Sequence, residues 1–430
     1  MQAQGLAVRQ LAVETLGAVF AGQQSVDDFL DESPAAAALD RRDRGFLAAI
    51  VYTALRHNEA IMAVLNRHLA KPLPRKAGPA GLILRVGLAE LLFLGVPPHA
   101  VINSAVELAR LDGAARHFTG LINAVLRKVA GERASLEIND AIAPWLAARW
   151  TKSYGPETAG RIATASLREA PLDITARDRS PSWAEKLGGV QLPAGSVRIA
   201  SPPQAIDQMP GCAEGGWWVQ DAAAAIPARL FGNLSGLAVL DLCAAPGGKT
   251  LQLAAQGARV TAVDQSARRL QRLAENLART RLSADLVCAD VFDFVPPQPF
   301  DAVLLDAPCS ATGTIRRHPD LPYRKSSAQI GALIDLQWRM LNRAAALVRP
   351  GGTLVYCTCS IEPEEGEKQA LGFLAKNKEF QLLPISSGEL ALGAEFISAQ
   401  GFFRSLPFMK IGEQAGLDGF FAARFQRQAG

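Results

Sequence analysis

Hydrophobic residues recur at helical spacing through the first third of the chain. In the segment VINSAVELAR, the i, i+3, i+4, i+7 pattern is formed by Ile102, Ala105, Val106 and Ala109. The segment GLINAVLRKVA repeats this pattern from Ile122 to Val129. Because such spacing lines up apolar side chains on one face of a helix, it indicates amphipathic helices that pack against each other. We therefore predict an all-α domain over residues 1–135.

A different pattern begins at residue 231, where short apolar runs alternate with helical segments. The runs typical of buried strands are AVLDLCAAP, ARVTAVD, ADLVCAD, FDAVLLDAP and TLVYCTCS. The segments between them, such as SARRLQRLAENLART, have helical spacing. This β-α-β-α order predicts a parallel, doubly wound sheet over residues 231–430. The segments QGFFRSLPF and GLDGFFAARFQ predict two late strands that pair antiparallel at one edge.

Residues 136–230, between these two regions, have a mixed α/β pattern and several tryptophans. Trp217 and Trp218 are adjacent, so they can form either a stacking platform for bases or part of a hydrophobic core. We favour the core, because large aromatic side chains contribute most of their energy when they are buried.

Composition narrows the class of protein only slightly. Of the 430 residues, 49% are apolar and 20% are charged, which is ordinary for a globular protein with two to three domains. The net charge of +4 is small, so a nucleic-acid interface must be a local patch. One basic cluster is formed by Arg56, Arg67, Lys71, Arg75 and Lys76. It is either a solvated helix face or a site for RNA phosphates, and the sequence leaves both open.

The six cysteines, spread from Cys212 to Cys359, do not have the spacing of a disulfide framework. The first residues, MQAQGLAVRQLAVETL, lack the pattern of a secretion signal, and no apolar run is long enough to span a membrane. We therefore expect free thiols in a reducing cytoplasm and no association with membranes.

The first predicted strand of the sheet ends in the motif CAAPGGKT, from Cys243 to Thr250. Gly247 and Gly248 let the backbone approach a ligand closely, and the helix that follows offers its N-terminus to polar groups. A phosphate-binding Walker motif requires glycine where Cys243 stands, and the G-x-G-x-x-G motif is absent from the chain. These observations argue against a P-loop NTPase and against a common NAD enzyme.

The next two strands end in carboxylates, Asp264 and Asp290. A carboxylate at this place can accept both hydroxyls of a ribose, and a second can accept from an adenine amino group. Either residue can also serve as a helix N-cap. Their occurrence on consecutive strand ends favours a pocket for a nucleoside.

The fourth and fifth strands bring thiols to the same edge of the sheet, where the carboxyl ends of the strands lie. The fourth ends in Asp306-Ala-Pro-Cys309, followed by the basic loop ATGTIRRHPDLPYRK, and the fifth ends in Cys357-Thr-Cys359. Because ligands of such sheets bind outside the carboxyl ends of the strands, we expect an acid, candidate nucleophiles and cations to meet there.

These motifs, taken in order, resemble the cytosine-5 RNA methyltransferases, and GGWWVQDAAA and DGFFAARF resemble that family too. The helical first third resembles the NusB-like domain of its bacterial Sun/Fmu branch. The resemblance implies a Rossmann-like methyltransferase domain over residues 231–430, an RNA-binding domain over 1–135 and an RNA-positioning segment over 136–230. It also implies S-adenosylmethionine as cofactor and cytosine 967 of 16S small-subunit rRNA as substrate.

The resemblance assigns roles to individual residues. By position, Cys359 is the nucleophile that adds to C6 of the cytosine, Cys309 assists product release, and Asp306 donates to N3. The implied cofactor-binding residues are Cys243, Ala244, Ala245, Pro246, Gly247, Gly248, Lys249, Asp264, Asp290 and Asp306. The implied RNA contacts are Arg316, Arg317, His318 and Arg324.

Cys357 has no role in this scheme, and we interpret it as a packing residue, since unpaired cysteines are usually small buried hydrophobes. A zinc site needs about four ligands, and only His318 lies near these cysteines in sequence, so we expect no metal. A disulfide between Cys309 and Cys359 would inactivate the enzyme.

We consider three other functions, of which two stay open. The first is the same chemistry on tRNA, and the second is a ribosome-assembly factor with vestigial catalysis. The third, a DNA cytosine-5 enzyme, is disfavoured because those enzymes use the cysteine of the P-C motif as nucleophile. We expect the chain to act on RNA as a monomer, without an obligate protein partner.

Overall fold

The computed structural model describes residues 2–132, 141–178, 180–200, 202 and 204–429. The predicted domain boundary at residues 135 and 136 lies outside the described residues. The chain forms two compact units: Met1–Arg168 with Ile315–Ser326, and Glu169–Thr314 with Ser327–Gly430. Over the part of the chain that the structure describes, no helix has the length and apolar character needed to cross a membrane.

The α-helices are, in chain order, α1 (Gln2–Phe20), α2 (Val26–Glu32), α3 (Pro34–Ala37), α4 (Arg41–Arg56), α5 (Asn58–His68), α6 (Ala80–Leu92), α7 (Pro98–Leu111), α8 (Thr119–Glu132), α9 (Pro144–Tyr154), α10 (Pro156–Ser166), α11 (Ser182–Lys186), α12 (Gly248–Ala255), α13 (Ala267–Thr280), α14 (Leu321–Arg324), α15 (Ser327–Ala346), α16 (Glu367–Lys376) and α17 (Ser387–Leu390). The strands are β1 (Leu172–Ala176), β2 (Val190–Gln191), β3 (Val197–Ile199), β4 (Trp217–Val219), β5 (Ala238–Leu242), β6 (Arg259–Asp264), β7 (Asp285–Cys288), β8 (Phe300–Asp306), β9 (Val348–Thr358), β10 (Phe380–Leu382), β11 (Phe403–Ser405), β12 (Lys410–Ile411), β13 (Gln414–Ala415) and β14 (Phe420–Arg427).

The first unit is a helical domain whose apolar faces meet in one core. Helices α1, α4, α6, α7 and α8 contribute buried aliphatic residues from Val8 to Val129. The all-α prediction for this region is therefore confirmed. The segment Ile315–Ser326 belongs to this unit, where the Trp145 indole donates to the Pro322 carbonyl (2.9 Å) and the Tyr323 ring contacts the Phe20 ring edge-on. This grouping was not foreseen, because the segment is distant in sequence from the helices that it contacts.

The second unit contains an eight-stranded sheet with the order β10-β14-β9-β8-β5-β6-β7, to which β11 adds through β14. Strands β5 to β9 run parallel, and β14 pairs antiparallel with β9. Helices cover this sheet over two buried apolar clusters. The predicted doubly wound sheet and the antiparallel pairing of the two late strands, β11 and β14, are confirmed.

A smaller sheet, with the order β2-β3-β1-β4, occupies the first part of the second unit. A buried bidentate ion pair between Arg198 and Asp173 links β3 to β1. Trp217 and Trp218 lie in β4 with only 1% and 3% of their surfaces exposed. Their side chains therefore belong to the interior, as predicted, and do not present open faces for stacking.

Candidate active site

The sheet reverses its strand order at β5 and β8, and this point sets the position of the site. The chain runs from β5 outward to β6 and β7, then returns to β8 on the other side of β5 and continues to β9. Because a crevice opens where neighbouring strands lead away in opposite directions, ligands of such sheets bind at this carboxyl edge. Cys243, Asp306 and Cys359 all lie at or just beyond these strand ends.

The loop after β5 is shaped by backbone conformations that most residues avoid. Cys243 has φ of 60° and Gly247 has φ of 110°. A Cβ atom at Gly247 would lie 2.2 Å from Cδ1 of Leu273, so the close approach to α13 requires glycine. Gly247 then caps α12, which begins at Gly248 and carries Lys249 into the site.

An ion pair joins Lys249, in the first turn of α12, to Asp306, at the end of β8. The Lys249 ammonium donates to Oδ2 of Asp306 at 2.7 Å and lies over the Phe420 ring, 5.0 Å from its centroid. Burial opposes the charge of Lys249, but the Asp306 carboxylate raises the pKa of this lysine overall. Lys249 therefore stays cationic, and Asp306 keeps a compensating positive charge beside it.

The two cysteines to which the sequence assigns chemistry are in contact. Sγ of Cys309 lies 3.5 Å from Sγ of Cys359, and both side chains are half-buried. The hydrogen bond with Cys359 raises the pKa of Cys309 well above its ordinary value, and burial acts in the same direction. Both effects favour the protonated form of the Cys309 thiol.

Cys357 lies in β9, just before the carboxyl edge of the sheet, and is fully buried. Its thiol donates to Oδ1 of Asp306 at 3.4 Å, and it forms part of the apolar core below the sheet edge. Burial raises the pKa of Cys357 well above its ordinary value, with the Asp306 charge adding to the effect. This thiol therefore remains protonated, in agreement with the predicted packing role.

A pocket beside the cysteines joins the ends of β5, β6 and β7. It is lined by Cys243, Asp264, Gln265, Arg269, Ala289, Asp290, Val291, Phe292, Pro308, Leu336 and Met340. Asp264 is 2% exposed, and its carboxylate accepts backbone N–H groups from Ala245 (3.1 Å) and Ser266 (2.9 Å). Asp290 is exposed, and it accepts from the Phe292 N–H. The sequence indicated the two carboxylates but not the apolar walls supplied by Val291, Leu336 and Met340.

The basic loop after Cys309 places its side chains in different surroundings. Arg316 is 4% exposed, and Nη1 of Arg324 pairs with Asp320 at 3.0 Å. His318 is exposed and lies 3.7 Å from a carboxylate oxygen of Asp27. Arg317 is half-buried. Contact of these four residues with RNA stays a prediction, and the burial of Arg316 favours a structural part for that side chain.

Comparison with known proteins assigns a family to this geometry. Residues 234–426 match the family described as 16S rRNA methyltransferase RsmB/F, and residues 6–131 match the NusB family. The chain is 35% identical over 440 residues to ribosomal RNA small subunit methyltransferase B of Xylella fastidiosa strain Temecula1, and the alignment covers 98% of each chain. The chain belongs to the RsmB/F family of 16S rRNA methyltransferases.

Solved structures agree with this fold. The crystal structure of PH0851 matches with a TM-score of 0.77 and 24% identity, over 99% of this chain and 98% of that one. The crystal structure of NSun6 from Pyrococcus horikoshii with SFG matches with a TM-score of 0.57 and 18% identity, over 67% of this chain and 99% of that one. This RsmB/F member is thus an S-adenosylmethionine-dependent RNA methyltransferase with a NusB-family domain.

The pocket beside Asp264 suits S-adenosylmethionine by its own chemistry. Val291, Phe292, Leu336 and Met340 give apolar walls for an adenine ring, and Asp290 lies at the mouth. Asp264 holds its carboxylate in place through two backbone bonds and retains lone pairs for ribose hydroxyls. When bound, the cofactor supplies the methyl group.

Proposed function

We propose that this enzyme methylates C5 of cytosine 967 in 16S rRNA through a covalent bond between Cys359 and C6 of the base. The observation that carries the proposal is the contact between Sγ of Cys309 and Sγ of Cys359, which lie 3.5 Å apart. Cys359 is assigned as the nucleophile by its position in the T-C-S motif, and the raised pKa of Cys309 suits that thiol to the role of the protonated partner.

The first step forms the bond between Sγ of Cys359 and C6. The electron pair of the C5–C6 double bond moves into the ring, and N3 takes up a proton through Asp306, which receives it in turn from the Lys249 ammonium that donates to it. C5 thereby becomes nucleophilic enough to accept the methyl group. Asp306 lies at the end of β8 with the Lys249 ammonium 2.7 Å from its Oδ2, so the two groups can pass this proton between them and Asp306 is a carboxylate again after the transfer.

The second step restores the aromatic ring. A base removes the proton from C5, and the electron pair of that C–H bond re-forms the C5–C6 double bond. Sγ of Cys359 leaves with the electrons of the Sγ–C6 bond, and the N3 proton returns through Asp306. We assign product release to Cys309, because its protonated thiol contacts the leaving sulfur of Cys359. The proton that it shares with Cys359 stabilises the departing thiolate.

We further propose a division of labour along the chain. Residues 1–135 bind RNA phosphates, residues 136–230 position the RNA, and residues 231–430 carry out catalysis. On the helical unit, Arg67, Lys71, Arg75 and Lys76 are exposed and suited to contact phosphates. The target cytosine must leave any base-paired stem to reach Cys359, so a flipped or looped base is required. We propose that the enzyme acts as a monomer in the cytoplasm.

The substrate is tested by mapping 5-methylcytosine after incubation with S-adenosylmethionine. Parallel reactions contain 16S rRNA, 16S rRNA with uridine in place of cytosine 967, and bulk tRNA. We expect one modified position in the first RNA and none in the other two. Methylation of tRNA alone would favour the tRNA alternative. RNA binding without methylation of any substrate would favour an assembly factor.

A further inference from the structure

The last residue of the stretch VYCTCSIEPEE, Glu365, is fully buried close to the two cysteines. Moving a carboxylate out of water costs several kcal/mol, so such a group persists only when donors surround it. The chemistry described above leaves Glu365 without a role, although it lies six residues after Cys359 in the chain.

Each carboxylate oxygen of Glu365 accepts two hydrogen bonds. Oε1 accepts from the Ser310 backbone N–H and from Nε2 of Gln337, each at 2.9 Å. Oε2 accepts from the hydroxyls of Ser310 and Ser360, the latter at 2.6 Å. Hydrogen bonds to an ionised acceptor are about twice as strong as neutral ones, so these four form a firm junction.

The donors to Glu365 come from the two loops that carry the thiols. Ser310 directly follows Cys309, and Ser360 directly follows Cys359. Their hydroxyls also lie 3.1 Å from each other. Gln337, from helix α15, adds a bond to the Pro308 carbonyl at 2.9 Å, so the residues on both sides of Cys309 are fixed.

We propose that Glu365 is a positioning residue, whose carboxylate joins the loop of Cys309 to the loop of Cys359 and thereby sets the separation of the two thiols. The proposal rests on the proposed function, because this separation matters to catalysis only when both sulfurs act on one cytosine. Backbone bonds also link the loops, since the Gly313 N–H donates to the Cys359 carbonyl at 3.1 Å. The test must therefore distinguish the effect of the carboxylate hydrogen bonds from that of the backbone hydrogen bonds.

Four variants of the full chain distinguish the contribution of the Glu365 carboxylate from that of the backbone hydrogen bonds. Glu365→Ala removes all four bonds, and Glu365→Gln keeps the shape while removing the charge. Ser360→Ala removes a single hydroxyl. Glu364→Gln is the matched control, because Glu364 is the adjacent residue, lies half-buried in the turn before α16 and accepts from the exposed Lys368 ammonium at 3.4 Å. Far-UV circular dichroism checks that each variant is folded.

The first readout is the equilibrium between the two thiols and their disulfide in glutathione buffers, which needs no RNA. Glutathione disulfide takes two electrons and becomes two glutathione molecules as Cys309 and Cys359 form one bond, which mass spectrometry locates. We expect Glu365→Ala to lower the equilibrium constant at least tenfold. Glu365→Gln should lower it less than threefold, because serine hydroxyls can rotate to accept from an amide. Glu364→Gln should match the wild type.

The second readout is the kinetics of methylation. Displaced thiols should lower kcat at least tenfold in Glu365→Ala and leave KM for S-adenosylmethionine within twofold, since the Asp264 pocket is unchanged. A uniformly loosened domain would instead raise KM as well.

A folded Glu365→Ala protein with the wild-type disulfide constant would overturn the proposal. If that variant does not fold, Ser360→Ala decides: a threefold lower constant supports the role of the junction, and an unchanged constant contradicts it. A wild-type protein that methylates no RNA would refute the proposed function, whereas the disulfide constants would still report whether Glu365 sets the geometry of the loops.

Discussion

The thiol of Cys357 lies 3.4 Å from Oδ1 of Asp306, across the register that pairs these two residues on β9 and β8. This contact explains why the chain has two cysteines separated by one residue. Strand β9 ends at Thr358, so Cys357 lies within the strand, where it is fully buried, and Cys359 lies just beyond the strand end. Cys357 donates to the Asp306 carboxylate from within the strand, and Cys359 lies at the carboxyl edge of the sheet.

Replacing Cys357 by alanine should affect stability more than catalysis. The variant loses a buried sulfur and one weak hydrogen bond, and we expect a decrease of about 1 kcal/mol in the free energy of unfolding. Asp306 keeps its ion pair with Lys249, so the methylation rate should stay within threefold of the wild type. Urea unfolding and single-turnover assays measure the two quantities. A tenfold loss of rate in a stable variant would mean that Cys357 takes part in catalysis.

Lys249→Met should reduce the methylation rate at least tenfold. Methionine preserves the length and the contact with the Phe420 ring, but it leaves Asp306 without its cation 2.7 Å away. Lys376→Met is the control, because Lys376 also lies over an aromatic ring, that of Trp338, but on an exposed helix end. Equal rates in the two variants would show that the charge of Lys249 is not needed.

Asp264→Ala should weaken binding of S-adenosylmethionine at least tenfold. The buried carboxylate is held by the Ala245 and Ser266 N–H groups, and its loss removes the acceptor for ribose hydroxyls. Isothermal titration with the cofactor alone measures this effect without RNA. Asp293→Ala, at an exposed position after the same pocket, should bind normally. Unchanged affinity of Asp264→Ala would place the cofactor elsewhere.

The buried carboxyl of Asp241 should make stability depend on pH. Burial raises the pKa of Asp241 to about 7, although the Thr250 hydroxyl donates to it at 2.6 Å. The folded state then holds this proton more tightly than the unfolded state does. The stabilisation is fully present below pH ~4 and is lost as pH rises to ~7, at about 1.4 kcal/mol per pKa unit.

Asp241→Asn removes this titration and isolates its contribution. Relative to the wild type, the variant should gain free energy of unfolding between pH ~4 and ~7, and the difference should level off above that range. Urea unfolding at several pH values measures it. Parallel curves for the two proteins would show that Asp241 keeps an ordinary pKa in the fold.

Much of the fold could be predicted from local pattern. Strands β5 and β8 are recognisable as short apolar runs, the periodicity of helix α13 shows which of its faces is buried, and Gly247 marks the turn between β5 and α12. The order of these elements then determines the parallel sheet and the edge where Asp264 and Asp306 gather. The recognisable motifs lie at that edge, so the sequence also indicated most of the site.

Features that depend on contacts distant in sequence could not be predicted. Leu336 and Met340 line the pocket beside Asp264 from helix α15, where their spacing indicates only a buried face. Glu365 looks like one more acid in EPEE until the fold brings Ser310 and Gln337 to its carboxylate. Arg316 belongs to a basic run typical of RNA contacts, yet the fold buries it.

The role of Cys359 as nucleophile is tested most directly by trapping the covalent complex on a denaturing gel. Labelled 16S rRNA and S-adenosylmethionine are incubated with wild type, Cys309→Ala, Cys357→Ala and Cys359→Ala. We predict that Cys309→Ala accumulates a protein–RNA band, because the adduct forms and is not released. Cys359→Ala should give neither band nor product, and Cys357→Ala should behave like the wild type. Methylation by Cys359→Ala, or a covalent band that persists in it, would contradict the account.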